Sequence, residues 1–246
     1  MHAAPRFPTR LLAATALAAA AASPAWAQKA GDVFLGAGWL RYSPQEESTP
    51  LRFTQPVQRE VPGSGSSIPS VNTLGLNVHY FFTDNFAIEG VLGVPPKLKL
   101  DGAGSLAGLG KLGNARLYGP SVLAKYFFGQ SSDRLRVGVG AGVTYARFAD
   151  TQLSQNLQST LGATLGLPPG ASTTSAKIDS RFGPVVSVGV NYAVTDRLGL
   201  TASISYVHMK TKATLSTTAG GRVVAVSESS LKLNPIIPFV YATYRF

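Results

Sequence analysis

The chain has 246 residues, with 22 Lys and Arg against 12 Asp and Glu and no cysteine. Without a thiol it holds no disulfide framework, no thiol nucleophile and no Cys-based metal site. Beyond residue 27 no 18 apolar residues run together, which argues against membrane-spanning helices and leaves strands as the means of any crossing.

The first predicted element is a leader. Arg6 and Arg10 form a positive region, residues 11–22 are an uncharged run of Leu, Ala and Thr, and Ser23 and Pro24 break it. Ala25-Trp26-Ala27 then supplies a small-x-small cleavage pattern, so residues 1–27 read as a secretory signal peptide cut after Ala27. The alternative is a membrane anchor, but a spanning helix needs about 20 residues and the run is shorter. Removing 27 of 246 residues leaves 219, a length that suits one domain. Two basic residues go with the leader, leaving 20 against 12 acidic ones, a net charge of +8. Export argues against nucleic acid as the partner of that charge. Contact with anionic lipopolysaccharide, or a scattered solvated surface, remains.

The mature chain alternates with period 2. In residues 72–82, Leu74, Leu76, Val78, Tyr80 and Phe82 share one face, and Thr73, Gly75, Asn77, His79 and Phe81 the other. That is a strand with one greasy and one more polar face. Thr83-Asp84-Asn85 is a short turn, and residues 86–95 return with Ile88, Leu92 and Val94 outward. Similar strands are predicted at 33–41, 117–128, 136–148, 181–192, 198–209 and 231–246, for a total of eight. Short turns at 83–85, 129–134 and 194–197 alternate with long polar or Gly/Pro-rich segments at 42–70, 96–114, 150–178 and 211–229. A soluble β-sandwich would also alternate in polarity, but its loops have no reason to alternate in length. The pattern predicts an all-β fold, an eight-stranded antiparallel transmembrane β-barrel of outer-membrane type, over residues 28–246, with short periplasmic turns and long extracellular loops. The last strand ends in Tyr244 and Phe246 on its outward face, which suits an interfacial girdle. A terminal Phe after alternating apolar residues also resembles the signal read by barrel-assembly machinery, an expected partner.

Several stretches together resemble the OmpW family, which includes the alkane-uptake protein AlkL. They are Ala30-Gly-Asp-Val-Phe-Leu-Gly-Ala-Gly38, Thr73-Leu-Gly-Leu76 with Tyr80 and Thr83-Asp-Asn85, and Gly119-Pro120 leading to Lys125-Tyr-Phe-Phe-Gly129. Val139-Gly-Ala-Gly-Val-Thr-Tyr145 and Leu233-Asn-Pro235 leading to Tyr244-Arg-Phe246 complete the set. The resemblance implies location in the outer membrane of a Gram-negative bacterium. It also implies a narrow apolar lumen that takes small hydrophobic molecules from outside and releases them sideways into the bilayer. Strand parity is compatible with this and puts Phe34, Leu40, Leu117, Leu123, Leu231, Leu233 and Phe239 on the lumen path. A structural or surface-interaction barrel, for envelope stability or as an adhesion or phage receptor, is the competing reading. An apolar chamber distinguishes the two.

Polar inward residues gather toward the periplasmic end. A hairpin centred on Asp84 sets His79 opposite Glu89, and Asp32, Lys125, Arg136 and Arg245 also point inward there. The expectation is a charged plug below the apolar chamber, which would also stiffen the barrel floor; isolated charges in so tight a space would cost several kcal/mol. Catalysis is not expected. His208 faces outward on parity while Ser203 and Ser205 face in, and His79 has an acid partner but no nucleophile. Two separated histidines do not make a metal set, and no cofactor is expected. The Gly138-Val-Gly-Ala-Gly142 run lies inside a strand and opens no helix, so it is no phosphate loop. Leu153, Leu157 and Leu161, four apart, predict one or two helical turns above the barrel mouth, as a substrate funnel or a surface contact loop.

Overall fold

The computed structural model describes residues 28–45 and 47–246, and the predicted leader lies outside them. Eight strands make the wall: β1 (Val33–Tyr42), β2 (Val71–Phe81), β3 (Phe86–Gly93), β4 (Ser121–Phe127), β5 (Leu135–Leu153), β6 (Arg181–Ala193), β7 (Leu198–Val207) and β8 (Ile236–Arg245). Each is antiparallel to the next, and β8 closes on β1, from Arg245 opposite Phe34 to Phe239 opposite Leu40. Closure pairs the backbone polar groups that hydrocarbon cannot solvate.

The outward face is the one the alternation predicted. Leu74, Leu76, Val78 and Tyr80 of β2 are exposed, as are Val139 of β5 and Val188 of β6, while Asn77, His79 and Phe81 are buried. Exposed aromatics collect in two bands. Tyr80, Phe82, Phe86, Tyr126, Phe128, Tyr192, Tyr244 and Phe246 ring the periplasmic end, several of them in ring contact. Trp39 and Phe182, whose ring packs on the half-buried Tyr145, mark the other end. Ten residues separate Tyr192 from Phe182 along β6, roughly 33 Å of strand, or about 25 Å of height at a tilt near 40°. That is the thickness of the apolar band of an outer-membrane barrel.

The long connections are not loops, contrary to the sequence expectation. Above the outer girdle they form two upper sheets. The first joins Ser64–Ser67, Lys97–Gly104, Lys111–Tyr118 and the upper end of β5. The second joins Ser172–Ile178, Lys210–Ala219, Arg222–Lys232, Arg52–Gln55 and Arg59–Glu60, with Glu47–Ser48 alongside. Ser, Thr and Lys are common in the second sheet, and Gly, Ala and polar residues interrupt the strands of the first, so the simple apolar alternation that betrays a lipid-facing strand is missing. Two predicted strands are each interrupted. The 117–128 segment breaks at Gly119-Pro120, where proline has no N–H for the ladder. The 231–246 segment breaks at Asn234-Pro235, where Asn234 takes φ +35° and its Oδ1 accepts a hydrogen bond from Met209 N. Leu117 and Leu231 therefore belong to the upper sheets and not to the barrel wall, and Leu233 to a connection.

The predicted helical turns are present as α1 (Gln155–Thr164), capped by Ser154, whose side chain accepts from Leu157 N. Leu157 and Leu161 point down and are buried with Leu51, Phe53 and Leu215.

Candidate functional site

The inner face is layered from floor to roof. At the floor, the register that sets His79 opposite Glu89 brings Asn77 and Tyr241 beside them. Glu89 Oε1 accepts from His79 Nε2 at 2.8 Å, Asn77 Nδ2 at 3.1 Å and the Tyr241 hydroxyl at 3.3 Å. Its Oε2 faces Lys125 Nζ at 2.8 Å. Glu89, His79 and Lys125 are 2–4% exposed. A carboxylate with four donors, two of them able to carry positive charge, is the arrangement that makes buried charge tolerable.

Gly36 makes room for this network. A Cβ there would strike Asn77 Oδ1 and come within 2.8 Å of the Tyr241 ring. Gly36→Val is expected to cost about 1–3 kcal/mol through overpacking, read as a lower urea midpoint for the refolded barrel.

Beneath the network lies a phenyl layer of Phe34, Phe81 and Phe127 with Ala87 and Ala193. Arg136 lies lower still. Its guanidinium donates to Gln28 Oε1 and the Asp84 carbonyl at 2.8 Å each, and to the carbonyls of Phe127 and Phe128 at 3.1 and 3.3 Å. It thereby ties two periplasmic turns to the segment that enters β1. Asp32 and Arg245 pair at 3.5 Å on the partly buried rim.

Above the floor are two apolar cavities. The lower, about 90 Å³, is lined mostly by apolar side chains, Leu40, Val91, Leu123, Val185, Val207 and Phe239, with Leu117 and Met209 at its upper side; Thr73, Ser121, Thr144, Ser203 and Ser205 add hydroxyls and Glu89 lies at its base. The upper, about 100 Å³ and almost wholly apolar, lies among Ile68, Leu98, Leu153, Leu157, Leu231 and Leu233. One packed cluster, including Tyr42, Leu98, Leu117, Met209, Leu231 and Leu233, contributes to both linings and separates them. These spaces are of the order of the roughly 150 Å³ apolar cavity known to stay dry and take up benzene.

The wall has two irregular places. The β3–β4 ladder ends at Val91 opposite Ser121, and the next link is Leu117 N to the Pro96 carbonyl at 3.0 Å. Pro95, Pro96 and Pro120 fill that interval without N–H groups to bridge it, and Gly93, Pro96 and Gly119 line the lower cavity. The second place is higher. β5 and β6 pair only as far as Ala146 opposite Arg181, one pair beyond Tyr145 and Phe182.

Residues 29–246 match the sequence profile of the OmpW family. The chain belongs to the OmpW family. Outer membrane protein W of Vibrio cholerae is 28% identical over 94% of this chain and 95% of its own length. The dibenzothiophene metabolism operon protein PahQ of Pseudomonas aeruginosa is 32% identical over 57% of this chain and 65% of its own length. Among solved structures, OprG of Pseudomonas aeruginosa superposes with a TM-score of 0.77 over 91% of this chain and 99% of its own, at 22% identity. This is an outer-membrane barrel of that family.

Within this OmpW-family barrel the residues predicted for the lumen path divide. Leu40, Leu117, Leu123 and Phe239 line the lower cavity, and Leu231 and Leu233 the upper. Phe34 corrects the expectation: it is buried in the phenyl layer below Glu89, because its parity is inward but its height is periplasmic. The six predicted plug residues form three groups instead of one. Glu89, His79 and Lys125 meet, Arg136 sits a layer below on neutral oxygens, and Asp32–Arg245 stays at the rim. Asn77 and Tyr241 join the floor without having been expected there, although both share the inward parity of His79 and of Phe239. Gln28 carried no signal at all. His208 is exposed, away from Ser203 and Ser205 on the lumen side, and no group of three metal-ligating side chains occurs among the described residues.

Proposed function

We propose that this protein passively admits small hydrophobic molecules across the outer membrane and releases them sideways into the bilayer. The observation that carries this is an apolar, molecule-sized cavity standing directly on a dense, ion-paired floor. A nonpolar solute gains by leaving water for such a wall, and nothing uncharged gains by displacing Lys125 or His79 from Glu89. Straight passage to the periplasm is therefore the costly direction. The cheaper exit is the interval between Gly93–Pro96 and Gly119–Pro120, where the cavity touches a wall with few cross-strand bonds to break. It lies near the height of Trp39, since Gly93 pairs with Gly75 and Gly75 with Gly38. That PahQ is named for dibenzothiophene metabolism fits a cargo of this chemistry. Among partners, lipopolysaccharide phosphates suit the cleft that gathers Arg181, Lys210, Lys212 and Lys232 above the outer girdle. Phe246, largely exposed, is available to assembly machinery.

Leu123→Trp tests the reading. Leu123 is buried at the centre of the lower cavity, between Glu89 and Gly142 of the neighbouring strands. The larger ring should fill the chamber and reduce uptake of a radiolabelled alkane to that of cells lacking the protein, while the heat-dependent gel shift of a folded barrel persists. Unchanged uptake in the folded variant would favour a structural or surface-interaction barrel instead.

A further inference from the structure

The roof over the upper cavity is closed. Leu157 and Leu161 of α1 pack on Leu51, Phe53 and Leu215, all less than a tenth exposed. The helix is also tied to the second upper sheet, since Gln158 Oε1 accepts from Thr174 N at 3.2 Å. A molecule reaching the upper cavity from straight above would have to unpack that cluster.

The side is built differently. Above Ala146, the edge of β5 that served β6 has no strand partner. The strand facing it is Ser172–Ile178, whose one ladder is with Lys210–Ala219 and whose Thr174 N–H on the free edge goes to Gln158. No ladder joins the two facing edges among the described residues. A bulge keeps them apart: the β5 register slips by one residue between Ala149 and Gln152, and Asp150 takes φ +50°. A bulge spoils the regular spacing of N–H and C=O groups that a second strand would need, a device that blunts exposed edges. Between the edges an open cleft has charged residues at its mouth, Asp150, Lys177, Asp179 and Arg181. At its base are Phe148, Thr151, Ala176 and Ile178, and these four residues also line the upper cavity. Cleft and cavity thus share one thin wall, with no backbone bonds across it.

We propose that this seam between the two upper sheets is the way in for hydrophobic cargo, a side portal just beyond the outer aromatic girdle. This rests on the uptake reading above. The portal faces the saccharide and phosphate layer, not the bulk solvent above the roof. Three of the four charges at its mouth are paired, Asp179 with Arg181 at 3.0 Å and Asp150 with Arg116 at 3.4 Å, and Lys177 is exposed, so an uncharged solute need break no buried ion pair to reach the apolar base. A small uncharged hydrocarbon passes between Phe148 and Ile178 into the upper cavity. It then moves through the Leu117–Leu233 partition to the chamber below.

The absence of native cysteine makes the test clean. Thr151 and Ala176 are replaced together by cysteine in the full-length protein in cells and bridged across the seam with a bifunctional maleimide. The same double variant left unlabelled is the comparison. On bridging, uptake of a radiolabelled alkane should fall from the level of the unlabelled double variant to that of cells lacking the protein. Ala176→Trp, which needs no labelling, should slow uptake in the same way while the gel shift reports a folded barrel. Bridged protein that transports as fast as the unlabelled double variant would overturn the portal. If the unaltered protein gives no more uptake than its absence, the uptake reading itself fails and takes the portal with it, a result distinct from the first.

Discussion

Glu89→Ala is expected to destabilise the barrel by about 3–5 kcal/mol, the cost typical of removing one partner from a buried ion pair. Glu89 is the common acceptor of the floor: His79, Asn77, Tyr241 and Lys125 all converge on its two oxygens. Alanine leaves the Lys125 ammonium facing the lumen without an anion, and three further donors lose an acceptor that no water replaces in kind. Glu89→Gln keeps the shape and one acceptor oxygen, so it should lie between alanine and the natural residue. The paired replacement Glu89→Leu with Lys125→Met removes both charges together and should cost clearly less than Glu89→Ala alone, since no stranded ion remains. Urea unfolding of barrels refolded into phospholipid vesicles reads these differences. The same vesicles loaded with a small polar fluorophore test the floor as a barrier. Leak should rise with Glu89→Ala, and a stability loss under about 1 kcal/mol would show that the network does not hold the floor together.

The wall was legible in the sequence because the lipid writes on it. Every second residue of β2, β5, β6 and β7 faces hydrocarbon, so Val, Leu and Tyr recur with period 2, and turns shorter than the strands fix the register. That register alone placed His79 against Glu89. The upper sheets left no such mark. Their strands stand in water and saccharide on one side and around a small cavity on the other, so Ser, Thr and Lys suffice and the pattern reads as loop. Height was the other blind spot. Parity says that Phe34, Leu40 and Phe239 all point inward, but not that Phe34 lies below the ion pairs and the others above. It also could not say that Arg136 would be satisfied by carbonyls from Asp84, Phe127 and Phe128, because turn geometry decides where those oxygens point.

Val188→Arg is the second large effect, and it bears on the wall itself. Val188 lies on the outward face of β6, roughly midway between Tyr192 and Phe182, with Val139 and Ile204 beside it on the flanking strands. An arginine there must either hold its charge in hydrocarbon or draw water and headgroups inward, at about 2–4 kcal/mol for a mid-bilayer site. Depth gives the effect its signature. Arginine at Val190 or Val186 should cost less than at Val188, and at Phe182 only about 0–1 kcal/mol, because the side chain then reaches the interface. Gly140→Arg offers the contrast from the inner face. A Cβ there meets Lys125 Cγ at 2.8 Å and the Ala124 carbonyl at 3.1 Å, so the loss comes from crowding and from a second cation beside Lys125. It should not respond to bilayer thickness, whereas the penalty at Val188 should vary as lipids of different chain length shift the midplane relative to β6. Equal costs at Val188 and Phe182, or no dependence on lipid length, would mean that this face of β6 does not lie in hydrocarbon.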